Sequence, residues 1–139
     1  MESMSWDRKC FSSSPADYLP HRIPFLLIDR VTSREPGVAA TGIKVIPAEG
    51  GPFPVFLLVE SIAQLGGIAA ATGEGEGGFL AAIDHAGFSR EVRQGDCVEI
   101  KVRIAKSFGR LFLLEGEAFV DGERIAEARL TLGIGNVLP

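Results

Sequence analysis

FPVFLLVESIAQLGGIAA, residues 53–70, is almost wholly apolar and yet contains one carboxylate, Glu60. The apolar run predicts a long helix at residues 55–72. A helix that is hydrophobic on nearly every face must be surrounded by other parts of the fold. At about 17 residues the run is at the lower limit for a bilayer span, so it indicates a buried helix in a globular domain. An ionised carboxylate is costly to bury without a partner, and Glu60 therefore calls for an explanation.

Strand patterns flank this helix on both sides. Two strands are predicted at residues 25–35 and 37–47, and a short strand at 79–84 follows a glycine-rich connector at 73–78. Apolar residues then alternate strictly from Val98 to Ile104, and Asp121-Gly122 predicts a tight hairpin between the last two strands. This order predicts an α+β hotdog fold, in which a curved antiparallel sheet wraps round one long central helix. We expect a single domain at residues 14–139 after a flexible segment at 1–13.

Composition and charge exclude several classes of function. The 139 residues fit one domain, and the net charge of -4 with a pI near 5.2 provides no basic surface for nucleic acid. Cys10 and Cys97 form neither a disulfide framework nor a zinc-binding spacing. The first residues lack the apolar core of a signal peptide. We therefore expect a cytoplasmic protein that needs no cofactor or metal and that binds no nucleic acid or membrane.

Four segments, in order, resemble one enzyme family. They are LPHRIPFLLIDRV (19–31), FPVFLLVESIAQLGG (53–67), FLAAIDHAGFSREVRQGDCVEIKV (79–102) and VDGERIAEARL (120–130). Each is similar to a signature of the 3-hydroxyacyl-acyl-carrier-protein dehydratases, the FabZ and FabA type of hotdog enzyme. The resemblance runs from about residue 15 to 134, without rearrangement. It implies a fatty-acid or related acyl-chain biosynthetic role with an acyl thioester as the substrate.

The resemblance gives Glu60 a catalytic role. In that family a helix carboxylate and a loop histidine together remove a proton beside the thioester carbonyl and protonate the departing hydroxyl. Burial among apolar groups raises the pKa of a carboxyl group, which tunes it for proton transfer near neutral pH. Gln64 lies one helical turn beyond Glu60 and is expected to orient the carboxyl or contact substrate. The structural alternative is that Glu60 forms an ion pair with an arginine and holds a dimer together.

The loop before the helix departs from the family pattern. Relatives carry GHFPG there, whereas IPAEGGPFPVF (46–56) contains no histidine, and the family spacing places Ile46 where that histidine would be. The glycine whose amide commonly meets the thioester oxygen is replaced by Val55, followed by Phe56, and both residues are candidates for substrate binding. The chain is therefore identified as a divergent member that lacks the histidine loop.

Other residues could complete the site. His21, in LPHRIPF, is the candidate catalytic partner of Glu60, although in the family its default role is structural. His85 and Arg90 are candidate contacts for the phosphopantetheine arm, and a solvated loop position is the alternative for each.

Three functions remain open from the sequence. The first is a dehydratase-like lyase, the second is an acyl-thioesterase that uses Glu60, and the third is a non-catalytic acyl-thioester-binding or partner subunit. Acyl carrier protein and coenzyme A thioesters are both possible ligands. The helix, apolar on nearly every face, predicts at least a homodimer, with further assembly of dimers left open.

Overall fold

In the part of the chain that the structure describes, the fold consists of a six-stranded antiparallel sheet and one long helix. The computed structural model describes residues 11–18, 26–71 and 76–136. The strands are β1 (Arg30–Glu35), β2 (Ala39–Val45), β3 (Glu76–Phe88), β4 (Cys97–Phe108), β5 (Leu111–Val120) and β6 (Glu123–Asn136), and the helix is α1 (Val55–Ala70). The strand order is β1-β2-β4-β5-β6-β3, which leaves β1 and β3 at the two edges.

Helix α1 is the centre of the core, as the sequence predicts. It packs against all six strands. Twelve of its sixteen residues are buried, so the apolar residues on nearly all its faces are covered. No helix in the described ranges is long and apolar enough to cross a membrane. The hotdog architecture expected from the order of elements is confirmed.

Two glycines let the helix and the sheet approach each other closely. A Cβ atom at Gly66 would lie 2.3 Å from a methyl carbon of Leu114, and one at Gly116 would lie 2.3 Å from a methyl carbon of Ile62. Real side chains do not tolerate such distances without a shift of the neighbouring atoms. The glycines therefore fix how deeply α1 sits against β5.

The predicted hairpins occur where the turn residues indicated them. Gly37 has a φ of 76° between β1 and β2. Asp121 and Gly122 have φ values of 51° and 81°, as the type of turn that suits a two-residue hairpin requires. These turns set the registers in which β1 pairs with β2 and β5 pairs with β6.

Two strand boundaries differ from the sequence prediction. Strand β3 runs over Glu76–Phe88 instead of residues 79–84, because glycines that read as a connector lie inside the strand and pair with β6. His85 consequently lies within a strand and not after one. Strand β1 begins at Arg30 instead of residue 25, and residues 26–29 form no strand. Part of the reason is that the Leu27 N–H donates a hydrogen bond to the side chain of Gln64 on the helix, and not to a neighbouring strand.

Residues 11–13, which we expected to belong to a flexible segment, contact the domain. The backbone oxygen of Ser13 accepts a hydrogen bond from the N–H of Val31 on the edge strand β1. The Ser12 N–H donates to the hydroxyl of the buried Tyr18, which in turn donates to the Ser12 carbonyl oxygen. Residues 1–10 lie outside the described part of the chain.

Candidate functional site

Glu60 lines a small cleft between the central helix and the edge of the sheet. The side chain is half-buried. The other lining residues come from α1, β3 and β6, namely Ala63, Gln64, Gly67, Gly78, Phe79, Leu80 and Leu132. The cavity volume is about 10 Å³, roughly the room that one water needs. A carboxyl group is thus held in mostly apolar surroundings, as the sequence predicts.

Part of this lining could have been predicted from helical spacing. Ala63 and Gly67 follow Glu60 by three and seven residues, so they share its face of the helix. Both are small, and they leave open the space beside the carboxylate. Gly78 and Leu80 could not be assigned, because the sequence pattern placed them in a connector and a short strand.

Gln64 is buried beside Glu60 and anchors the segment that precedes β1. Only 3% of the residue is exposed. Its Oε1 atom accepts a hydrogen bond of 2.8 Å from the N–H of Leu27. Gln64 therefore has a structural task in addition to the orienting role expected from the sequence. It joins the chain that follows residues 19–25 to the helix, one turn from Glu60.

The amino-terminal end of α1 opens to solvent. Pro54 precedes the first turn, and no side chain caps the helix. Val55 and Phe56 are exposed, with 66% of Phe56 accessible. Phe56 stands four residues before Glu60, on the same helix face. These two candidates for substrate binding are therefore accessible at the end of the helix nearest the carboxylate.

Ile46, where the family spacing predicted the position of the histidine, belongs to the core. It is 1% exposed and is absent from the lining of the Glu60 cleft. Its N–H donates to the Asp96 carbonyl oxygen and its own carbonyl oxygen accepts from the Gly95 N–H. The Gln94 side chain donates to the Gly51 carbonyl oxygen in the same loop. Residues 93–96 therefore hold the shortened loop, and the described residues provide no histidine there.

The structure describes the position of only one of the two candidate histidines. His21 lies outside the described residues, so its role as partner of Glu60 stays a prediction. His85 is exposed, pairs in register with Arg129, and places its Nε2 3.3 Å from Oε1 of Glu127. These neighbours point away from the helix, whereas Leu130 next along β6 is buried against it. The structure does not bring His85 together with Glu60 of the same protomer.

Arg90 is occupied by carboxylates of its own protomer. Its Nη1 lies 3.1 Å from Oδ2 of Asp96, and its Nε lies 4.0 Å from Oε1 of Glu123. The same Asp96 oxygen accepts the Arg93 N–H, which together with Arg90 holds the pKa of this carboxyl below its usual value. Arg93 has no ion pair within the described ranges. The sequence did not reveal the Arg90–Asp96 contact.

The described residues contain no group of three or more histidine, cysteine or acidic side chains placed to hold a metal ion.

Family comparison agrees with the fold. The model of the FabA-like domain matches residues 19–129. The chain is 39% identical over 132 residues to the 3-hydroxyacyl-[acyl-carrier-protein] dehydratase FabZ of Bacillus velezensis, covering 86% of this chain and 94% of the relative. It is 38% identical over 126 residues to FabZ of Syntrophotalea carbinolica, covering 81% and 86%. The chain therefore belongs to the FabA-like family of hotdog proteins and is a FabZ homologue.

Solved structures show the same fold at low sequence identity. The dehydratase heterocomplex ApeI:P from Xenorhabdus doucetiae superposes with a TM-score of 0.76 at 19% identity, covering 98% of this chain and 94% of that one. A hypothetical thioesterase with coenzyme A from Streptococcus pneumoniae superposes with a TM-score of 0.63 at 11% identity, covering 76% and 84%.

Proposed function

We propose that the protein is a dehydratase-like lyase that interconverts a 3-hydroxyacyl thioester and the corresponding 2-enoyl thioester in the cytoplasm. The observation that carries the proposal is the position of Glu60: a half-buried carboxyl in a mostly apolar cleft, one helical turn from an accessible helix end. The FabZ relatives support the same reaction class, since they are named 3-hydroxyacyl-[acyl-carrier-protein] dehydratases.

The reaction needs two proton transfers and no cofactor. One group takes a proton from the carbon next to the thioester carbonyl, and another gives a proton to the hydroxyl that leaves the next carbon as water. We assign one transfer to Glu60 and the other to His21, with backbone N–H groups at the start of α1 facing the thioester oxygen. Positioned acid–base groups each contribute typically about 10²–10⁴-fold to such a rate.

A homodimer formed through β3 is part of the proposal. Strand β3 is an edge of the sheet and thirteen residues long, so one side of its backbone has no partner strand among the described residues of the protomer. Phe79 and Ile83 on this strand are 59% and 54% exposed. Long apolar edge strands are normally covered. A second copy beside β3 would cover these side chains and add a wall to the Glu60 cleft.

Thioester hydrolysis is the second candidate function. It is favoured by the absence of a histidine from the loop at residues 46–54 and by the fold shared with the pneumococcal thioesterase structure. Glu60 would then activate a water or attack the thioester carbon directly. A non-catalytic role beside a different hotdog subunit is the third, because the Xenorhabdus structure is a heterocomplex.

The test is to incubate crotonyl-coenzyme A with wild type and with Glu60→Gln, and to measure its hydration, the release of free thiol and its binding. We expect hydration to the 3-hydroxy thioester by wild type, no activity in Glu60→Gln, and similar unfolding curves for both. Release of free thiol instead of hydration would favour the thioesterase. Absence of both reactions, with the substrate still bound, would favour the non-catalytic role. A loss of about 3–5 kcal/mol of stability in Glu60→Gln would indicate a buried ion pair.

A further inference from the structure

We propose that this site accepts only short acyl chains, and that Leu80 sets the limit. This inference rests on the proposed function, since it concerns the chain attached to the same thioester. The feature behind it is the shape of the space beyond Glu60, away from the exposed amino-terminal end of α1.

The helix floor of this space is long enough for an acyl chain. Ala63 and Gly67 extend it two turns past Glu60, a rise of about 10 Å at 1.5 Å per residue. Small residues at both positions leave the helix surface flat. If the floor alone decided the matter, several methylene groups beyond the reacting carbons would fit.

The far end of the floor is closed by backbone. A Cβ atom built at Gly78 would lie 3.5 Å from the Cα of Gly67 and 3.3 Å from a methyl carbon of Ile134. At this point the gap between strand β3 and the helix is therefore no wider than about one methyl group. An acyl chain that follows the helix cannot continue past Gly67.

The side walls close most of the remaining space. Leu132 is fully buried in β6, and Leu80 on the edge strand β3 is half-buried and packs against the core. The cavity between them is about 10 Å³, near one water in size. Terminal carbons can enter only if a leucine moves. Leu80 is the one with exposed surface, so it is the wall that can be changed at least cost to the core.

Longer acyl chains should therefore bind more weakly to this site, although longer chains ordinarily bind more tightly to apolar pockets. Each additional buried methylene ordinarily improves binding about fourfold. Where a pocket has no room, one methylene group too many costs about 10- to 200-fold. A site limited by Leu80 should prefer a four-carbon chain, whereas an open tunnel would prefer a longer one.

The experiment uses N-acetylcysteamine thioesters of crotonic acid and of trans-2-octenoic acid, so that no carrier contributes to recognition. Kd is measured by calorimetry and kcat/KM by hydration, for wild type, Leu80→Val and Leu80→Ala. We expect wild type to favour the crotonyl thioester by at least about tenfold, and the two variants to reduce this preference stepwise, by about tenfold or more in Leu80→Ala. The control is Leu113→Ala, a half-buried leucine on β5 outside the cleft, which should leave the preference within about twofold.

Two outcomes would overturn the proposal in different ways. Wild type that binds the octenoyl thioester as well as the crotonyl thioester would refute the length limit and leave the proposed function intact. Failure of every protein to bind or convert either thioester would refute the proposed function, and the length limit with it. Leu80→Val removes one methyl group only, so it keeps the test valid if Leu80→Ala does not fold.

Discussion

Glu60 and Gln64 show how the central helix serves the fold and the site at once. The carboxyl side chain lines the cleft, and the amide oxygen one turn further holds the Leu27 N–H. A shift of Gln64 would move the segment behind residues 19–25, which contain the candidate partner His21. The geometry next to Glu60 therefore depends on a residue that need not touch substrate.

The Gln64 contact gives a stability prediction. Gln64→Leu keeps the volume of the side chain but leaves the Leu27 N–H buried without its acceptor. We expect a loss of about 1–3 kcal/mol in the free energy of unfolding, because an unsatisfied buried donor retains its full desolvation cost. Urea denaturation measures the change. Gln94→Leu is the control: its side chain is exposed and donates to the Gly51 carbonyl oxygen. Equal effects of the two substitutions would show that the buried acceptor has no special weight.

At the residue scale the sequence supports only part of the site. Glu60 stands out because a carboxylate in an apolar run is rare, and Gln64 follows from helical spacing. The network of Arg90, Asp96 and the loop at residues 46–54 was not foreseen. Its contacts are formed mainly by backbone atoms. Backbone hydrogen bonds do not require particular side chains, so the sequence does not indicate them.

Among the elements, the β1–β2 hairpin caps the buried end of α1. The Arg34 side chain donates from Nε to the Ile68 carbonyl oxygen at 2.7 Å and from Nη2 to that of Ala71. The Gly37 N–H donates to the Ala69 carbonyl oxygen. The guanidinium also lies 4.9 Å from the centre of the Tyr18 ring. Positive charge at a helix carboxyl end is favourable, so Arg34 joins the sheet to the helix that carries Glu60.

Removing this cap should destabilise the protein. For Arg34→Ala we expect a loss of about 1–3 kcal/mol, since two helix carbonyls lose a charged donor in a partly buried place. Thermal unfolding at neutral pH is the measurement. Arg103→Ala serves as the comparison: Arg103 forms an exposed ion pair with Glu115 on the sheet surface, and such pairs contribute about 0–1 kcal/mol. The account of the cap fails if Arg103→Ala lowers the melting temperature as much as Arg34→Ala.

The position of Asp96 in the loop between β3 and β4 predicts that the stability of the protein depends on pH. The Arg93 N–H, with Arg90 beside it, lowers the pKa of Asp96. A folded-state pKa below the unfolded value of about 4 favours the folded protein above that pH, and the advantage is lost as the pH falls through the folded-state pKa. The stability difference between wild type and Asp96→Asn should therefore be constant above about pH 5 and shrink below about pH 4.

Chemical denaturation at a series of pH values tests this prediction. Glu91→Gln, an exposed carboxylate in the same loop, is the control and should show no such change. A difference between wild type and Asp96→Asn that persists unchanged to low pH would contradict the role given to Asp96.

The elements themselves were largely predictable. The buried helix, both hairpins and the alternation in β4 follow from apolar periodicity and turn residues. Strand β3 was too short in the prediction because glycine lowers strand propensity, yet Gly78 lies in the strand where it faces Gly67 of the helix. A strand selected for close approach to a helix lacks the residue types by which strands are recognised.

For the whole molecule, the edge strand β3 predicts assembly. We expect a stable dimer at micromolar concentration with more than roughly 1,200 Å² of buried surface. Sedimentation velocity is the measurement. Ile83→Glu places a charge on the exposed edge and should weaken the dimer, whereas Val45→Glu, at an exposed position on β2, should not. A folded monomer of the wild-type protein at that concentration would be incompatible with the prediction.

The arrangement of the strands around the helix favours His21 over His85 as the proton-transfer partner of Glu60. His85 lies on the outer face of β3 with Glu127. His21 precedes Leu27, whose N–H is bound to the Glu60 helix through Gln64. The hydrogen bond to Gln64 places Leu27 on the side of the helix where Glu60 lies. A site built for two groups that kept Glu60 alone would lose about 10²–10⁴-fold in rate.

The most direct measurement is the rate of crotonyl-coenzyme A hydration by wild type, His21→Ala and His85→Ala under identical conditions. We expect weak hydration by wild type, loss of that activity in His21→Ala, and its retention in His85→Ala. Robust turnover that survives His21→Ala would contradict the pairing of Glu60 with His21 and would indicate a water or another acid as the partner of Glu60.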